Sequence, residues 1–326
     1  MKGIRTAALL AAGLAFLQTA LAQAQDAPAL KRDCMDQLRE GGQGPVSTAI
    51  LATCQQSVQA NPGDPELMIW FGSAFLRNGL ADQAEDAFQK AIKVGGNEAK
   101  LALGIMFLGD SHVIQDHERG FQLLLEVAEA GNSDAQNNLG LIYLSGIGVT
   151  LDGREAARWF RLAADQGNPE AQANLGNLYW RGIGVEQNLS TAMSLFMKAA
   201  DEGSAAAQSA LGVMYLFGQG TERDAAEAER WLRRAADNGS LQAQNNLGMM
   251  YLNGTSVARN PRLAEELFRE AAVAGHPLAQ SNLGMMYERG LGVPQDNQEA
   301  IKWYRLAAEQ GHERAAESVR RLESSN

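Results

Sequence analysis

The chain has 326 residues, a formal net charge of −10 and a hydrophobic share of 45%. That share suits a folded protein rather than a disordered one, and the acidic balance excludes a general binder of nucleic acid or anionic membrane, which needs a basic surface. Two cysteines are too few for a disulfide-rich scaffold or a four-cysteine zinc site.

Residues 1–24 read as a signal peptide. Lys2 and Arg5 form a basic start, and Thr6 to Leu17 is an apolar run of 12 residues, too short to span a bilayer comfortably. The small-x-small patterns Ala20-Leu21-Ala22 and Ala22-Gln23-Ala24 place cleavage after Ala22 or Ala24; the alternative is an uncleaved membrane anchor. No cysteine follows either site, which argues against a lipoprotein, and no later segment is apolar enough to cross a membrane. An alanine-rich leader of this kind points to a Gram-negative bacterium and to the periplasm, with secretion as the alternative.

Residues 25–96 read as N-terminal helical hairpins. Residues 31–60 form an imperfect first one, with its turn at Gly41-Gly42-Gln43-Gly44-Pro45. Cys34 and Cys54 lie symmetrically about Gly44, so a turn there brings them face to face and predicts a disulfide, which an oxidising compartment permits. Two free buried thiols or a redox pair are the alternatives, although no Cys-x-x-Cys is present. Asn61-Pro62-Gly63-Asp64-Pro65 opens a second hairpin, with Met68, Phe71-Gly72, Phe75, Ala84, Phe88 and Ala91 marking its two helices.

Residues 97–311 follow a period of 36. Ala-Gln recurs at 135, 171, 207, 243 and 279; Leu-Gly at 139, 175, 211, 247 and 283; Tyr at 143, 179, 215, 251 and 287. Ala pairs return at 163, 199, 235, 271 and 307, and a closing Gly at 167, 203, 239, 275 and 311. Ala99, Leu103-Gly104, Phe107, Asp116, Ala128 and Gly131 fit one more, degenerate unit ahead of these five. Each unit reads as two helices. The first opens at Asn132, Asn168, Ser204, Ser240 or His276, and the second at Asp152, Asn188, Asp224, Asn260 or Asp296. The Gly of each Leu-Gly pair falls inside the first helix at a cost of about 1 kcal/mol relative to Ala. We expect it to admit a neighbouring helix, with the paired alanines meeting it. Trp159, Trp231 and Trp303 hold equivalent second-helix positions and read as core. Residues 312–326 read as a capping helix, with Arg314, Glu317, Arg320 and Arg321 on its outer face.

The unit Ala-Gln-x-x-Leu-Gly-x-x-Tyr-x-x-Gly-x-Gly-Val, followed by Asp/Asn, Ala, Trp-Phe/Tyr and Ala-Ala-x-x-Gly, resembles the Sel1-like repeat, and residues 65–96 resemble its relative, the tetratricopeptide repeat. The resemblance implies an all-α fold, a right-handed superhelix of stacked hairpins. It also implies an exported adaptor, of the kind found in envelope signalling, exopolysaccharide control or host contact. One cysteine-rich branch of the family is associated with β-lactam binding or hydrolysis; this chain lacks that branch's cysteine pair in every repeat.

In that architecture one face of each first helix lines the inner groove. The residues it carries here are Asn137, Leu141 and Leu144; then Asn177, Trp180 and Arg181; then Val213, Leu216 and Phe217. The next two units add Asn245, Met249, Leu252 and Asn253, and Ser281, Met285, Glu288 and Arg289. The mixture of apolar side chains, amides and adaptable Met suits an extended peptide or a partner helix. Packing between adjacent first helices is the alternative use of the same residues. Trp180 stands where the other units carry Leu or Glu, as a binding anchor would. His112, Asp116 and His117 could in principle hold a metal, yet Asp116 matches a helix-capping position, so a solvated turn is the expected reading. No Ser-x-x-Lys, Gly-x-Ser-x-Gly, His-Glu-x-x-His or phosphate-binding Gly-x-x-x-x-Gly-Lys-Ser/Thr occurs.

The expectation is a non-enzymatic periplasmic or secreted adaptor that grips a protein partner in its groove and uses no cofactor or metal. A β-lactamase-like hydrolase and a glycan-binding part of a polysaccharide or cell-wall machine are the alternatives. The leader yields the first prediction: intact-mass measurement of the chain recovered from the envelope or culture fluid should show residues 1–22 or 1–24 missing. A retained leader would instead identify an anchor.

Overall fold

The computed structural model describes residues 27–42, 44–109, 116–255 and 257–324. The predicted leader with its cleavage sites, and the turn residues Asp110 and His112, lie outside them. The described residues form helices with no strand among them, so the fold class is all-α. The chain divides into two compact units, one through Leu151 and one from Asp152 onward. The first carries α1 (27–40), α2 (Thr48–Ala60), α3 (Pro65–Arg77), α4 (Ala81–Lys93), α5 (Asn97–Leu108), α6 (His117–Glu129) and α7 (Ser133–Ser145). The second carries α8 (Gly153–Asp165), α9 (Pro169–Arg181), α10 (Leu189–Asp201), α11 (Ala205–Phe217) and α12 (Ala225–Asp237). It continues with α13 (Leu241–Asn253), α14 (Pro261–Val273), α15 (Pro277–Arg289), α16 (Asn297–Glu309) and α17 (Glu313–Ser324).

Helices of about 13 residues are marginal alone in water, so caps and packing must hold them. The predicted caps are in place. Asn132, Asn168, Ser204 and Ser240 each accept the backbone N–H three residues on, at 2.9–3.3 Å. Asp152, Asn188, Asp224, Asn260 and Asp296 do the same for the second helices. His276 caps α15 through Nδ1, which accepts from the Ala279 N–H at 3.2 Å, and His312 accepts from Ala315 in the same way. Helix α9 ends at Gly182, whose φ of 70° lies in the left-handed region. Two residues on, Gly184 sits so near the start of α8 that a Cβ would lie 2.0 Å from the Gly153 carbonyl. Gly220 against Leu189 and Gly292 against Pro261 repeat that contact. The Gly-x-Gly turn thus serves two ends: one glycine stops the helix, the other lets the loop rest on the preceding unit.

The mid-helix glycines are close-approach sites, but their partners differ from those expected. A Cβ would lie 2.9 Å from Phe196 at Gly176, 2.5 Å from Leu232 at Gly212, 2.6 Å from Phe268 at Gly248 and 2.9 Å from Tyr304 at Gly284. Each glycine receives the largest core side chain of its second helix, rather than the alanine pair one turn later. The pair serves the next unit instead: the carbonyls of Ala164, Ala200 and Ala272 accept from Gln172, Gln208 and Gln280 of the following first helix at 3.1–3.4 Å. Trp159 is buried, as expected of a core residue; Trp231 and Trp303 are only half-buried.

In the first unit Cys34 and Cys54 form a disulfide between α1 and α2, with a Cα–Cα distance of 4.9 Å. Both are fully buried beside Met35, Leu38, Leu67 and Phe71. At the other end α17 buries Ala315 and Leu322 on Ile301 and Tyr304, and leaves Arg314, Glu317 and Arg320 exposed.

Two predictions follow from the packing and the caps. Alanine at Gly248 should add about 1 kcal/mol of helix propensity, yet overpacking a core costs about 1–3 kcal/mol. Gly248→Ala is therefore expected to lower stability to urea, with partial recovery on adding Phe268→Leu; a net stabilisation would refute the contact. Burial holds His276 below its ordinary imidazole pKa, and its cap requires an unprotonated Nδ1. A folded pKa below the unfolded one gives stability that is present above about pH 6.5 and lost as pH falls through the folded value. His276→Asn caps without titrating, so the variant should gain on the wild type as pH falls from 7 to 5. Parallel stability curves would count against this assignment.

Candidate partner-binding face

Most polar side chains that recur every 36 residues hold the array together. The Gln of Ala-Gln is buried and bonded as above at 172, 208 and 280, and at 136 to the Ala128 carbonyl. Gln244 departs, donating to Glu270 at 3.2 Å. The backbone carbonyls of Tyr179, Tyr215, Tyr251 and Tyr287 accept from the N–H of the second-helix caps at 2.8–3.0 Å. Three of the phenol groups are engaged as well. Arg161 donates to Tyr179 at 3.0 Å, and Arg233 and Arg269 bond to Tyr251 and Tyr287. Tyr251 also donates to Glu229, and that bond, with the Arg233 guanidinium, holds the Glu229 carboxyl below its usual pKa despite burial. These bonds join a second helix to the next first helix, so they report packing rather than a ligand site.

A different position shows where the repeat is released. Gln187 donates to the Trp180 carbonyl at 2.8 Å, Arg259 to that of Leu252 at 3.0 Å and Gln295 to that of Glu288 at 2.9 Å. Each closes the end of a first helix from seven residues away. Of the two units left, one carries Leu151 at this position, which has no side-chain donor, and the other carries Arg223, seven residues after Leu216; Arg223 makes no side-chain hydrogen bond or ion pair with any described residue. It instead lines a cleft of about 530 Å³ between α11 and α13. The apolar wall comprises Val213, Leu216, Phe217, Met249 and Met250; Gln242, Asn246, Asn253 and Thr255 supply the polar part. Phe217 is 67% exposed, an unusual state for so large an apolar side chain.

Five of the residues expected in the groove line this cleft: Val213, Leu216, Phe217, Met249 and Asn253. Others on the same helices have structural partners. Asn245 is 4% exposed and accepts from Asn282 at 2.8 Å, and Leu252 is buried in the core, so neither is accessible to a partner. Trp180 is half-buried, donates from Nε1 to Gln219 at 3.0 Å and packs edge-on against Phe196. Glu288 accepts from Tyr304 at 2.9 Å and pairs with Arg321 at 2.8 Å, clasping α17. Arg321 holds its carboxyl below the usual range, against burial. Met285 packs between core clusters on either side of α15. Asn177 and Ser281 are half-buried, and Arg181 and Arg289 are exposed at helix ends. In the first unit Asn137 and Leu144 are half-buried and Leu141 is exposed. The sequence reading missed Arg223, although the signal was present: Arg223 heads the loop position where two other units carry Gln.

The proposed metal ligands divide. Asp116 caps α6, accepting from the Arg119 N–H at 3.0 Å, and His117 opens that helix with its Cβ against Gly148. His112 lies outside the described residues. No described helix is long and apolar enough to cross a membrane.

The family model of the Sel1 repeat matches six consecutive segments, residues 97–132, 133–168, 169–204, 205–240, 241–276 and 277–312. The crystal structure of a Sel1 repeat protein from Oxalobacter formigenes is 29% identical, with a TM-score of 0.65 over 94% of this chain and 90% of that one. A protective antigen of uropathogenic Escherichia coli displaying an SLR fold is 32% identical, with a TM-score of 0.63. That match covers 83% of this chain, which spans only 59% of the antigen's length. Yeast Tom70, 13% identical with a TM-score of 0.54 over 85% of this chain and 58% of its own, shares the fold alone. No curated protein sequence matches. The fold is thus an all-α helical-repeat solenoid.

The placement of Trp180 gives a prediction that separates structure from binding. Trp180→Phe keeps an aromatic ring against Phe196 and removes the bond to Gln219, so stability should fall by about 1 kcal/mol. An unchanged urea midpoint would show that the indole N–H is free for a partner.

Proposed function

Because the chain belongs to the Sel1 repeat family, we propose that it is a non-enzymatic scaffold working outside the cytoplasm, in the periplasm or secreted. It holds a protein partner against the first-helix face of its second unit. The cleft between α11 and α13 carries this reading: it groups Phe217, Leu216, Val213 and Met249 on an open surface, whereas Trp180, Asn245, Leu252 and Glu288 of the first helices are engaged in packing or hydrogen bonds within the array. Solenoid folds of this type generally bind proteins through such faces. The Cys34–Cys54 disulfide supports an oxidising compartment, in keeping with the leader read from residues 1–24. Envelope signalling or exopolysaccharide control is the setting in which such an adaptor fits.

The test is affinity capture from the native envelope and culture fluid, with the mature chain and a Phe217→Ser, Met249→Gln variant as baits. Substituting so exposed a Phe should alter stability by only about 0.5 kcal/mol, so melting curves establish that the variant is folded. Partners retained by the wild type and lost by the folded variant are expected. Equal capture by both would refute the face.

A further inference from the structure

We infer that the cleft between α11 and α13 is built for an extended peptide carrying an acidic side chain next to an aromatic or aliphatic one, the carboxylate being held by Arg223. This inference rests on the scaffold reading and deepens it by specifying the peptide.

Three observations carry it. First, Arg223 is the only charged residue among the ten that line the cleft, in a chain whose formal charge is −10. Although the exposed Glu222 and Asp224 flank Arg223 in the chain, neither lines the cleft; the one charge the cleft lining presents is cationic, and complementarity favours an anionic partner group. Second, Arg223 is released from the role of its counterparts. Gln187, Arg259 and Gln295 each close a first helix by bonding to a backbone carbonyl, and Arg223 leaves that bond unmade and turns to the cleft. Arg158, Arg233, Arg269 and Arg321 of the second unit pair with Glu155, Glu229, Glu265 and Glu288, whereas Arg223, like the exposed Arg181 at the end of α9, has no such carboxylate partner among the described residues, and of the two only Arg223 lines the cleft. An unpaired guanidinium presents a planar fork of donors suited to a carboxylate. Third, Arg223 shares the cleft lining with Phe217 and Met249. An apolar side chain can cover Phe217 while its neighbour reaches Arg223. The amides of Asn253 and Asn246, the latter accepting from Gln242 at 3.0 Å and keeping its N–H donors, line the same cleft and supply hydrogen-bonding groups for a peptide backbone.

The test is selection of random dodecapeptides displayed on phage, every peptide followed by a carrier sequence so that no free terminal carboxylate is offered. The targets are the full mature chain, its Arg223→Glu variant and the Phe217→Ser, Met249→Gln variant. Arg223 is exposed and unbonded, so its substitution should leave the melting curve in place. Peptides from the wild type should be enriched in Asp or Glu adjacent to Phe, Leu or Met. That acidic enrichment should vanish with Arg223→Glu, and the peptides should lose binding to the apolar variant. Synthetic copies should bind Arg223→Gln about tenfold more weakly, as loss of a charge-assisted hydrogen bond predicts, and raised salt should narrow the gap. Peptides that need Phe217 and Met249 but show no acidic preference would overturn this inference and leave the scaffold reading standing. Peptides that bind the apolar variant as well as the wild type, or no enrichment from any target, would overturn both.

Discussion

How closely the two helices of a unit approach is the constraint on which the rest of the structure depends, and a glycine facing a large side chain sets it. At Gly176, Gly212, Gly248 and Gly284 there is no room for a Cβ. The balance favours the contact. A mid-helix glycine costs about 1 kcal/mol, whereas burying a Phe or Leu side chain contributes about 1.5–3 kcal/mol. Phe196, Leu232 and Phe268 are all buried to 1% exposure or less. With that distance set, the alanines of the second helix can bring the next first helix equally near.

Such close packing brings backbone carbonyls and amide side chains into places water cannot reach. A buried amide without a partner costs about 1–3 kcal/mol, which is why the Gln of four of the five Ala-Gln pairs donates to the alanine carbonyl of the helix before it, Gln244 turning to Glu270 instead. The tyrosines do the same at the other end of the helix, through their carbonyls on the cap N–H groups and, at Tyr179, Tyr251 and Tyr287, their hydroxyls on arginines. A repeat that satisfies its polar groups in this way has few left for a ligand. Any position that drops out of the scheme is conspicuous, and Arg223 is one. The cleft beside it departs from packing in the same unit, where Phe217 is left uncovered.

A scaffold function accords with this division of labour. The side chains that recur are spent on the contact between one helix and the next, and those that vary along the first-helix face are free to differ from unit to unit. The cleft draws on such variable positions: Phe217 stands where other units have Ser145, Arg181, Asn253 or Arg289, and Met249 where they have Leu141, Asn177, Val213 or Met285. Specificity can therefore change without disturbing the fold. The disulfide lies in the other unit and closes the first hairpin, a task independent of the cleft.

The sequence by itself determined the repeat length, the helix starts and the all-α class. Each of these is local: a capping oxygen acts within three residues, and a 36-residue register is visible without knowing what touches what. It also indicated the disulfide, because a single turn relates Cys34 to Cys54. Only the tertiary structure decided what the mid-helix glycines face, since Phe196 and Ala199 lie one helical turn apart and periodicity cannot choose between them. It likewise decided which first-helix residues are accessible. Asn245 and Leu252 share a helix face with Met249 and Asn253, yet they are buried by Asn282 and by the core while the other two reach the cleft. Contacts of that kind join residues about 37 positions apart, and the way each is filled depends on the side chains of the neighbouring unit rather than on the pattern they share.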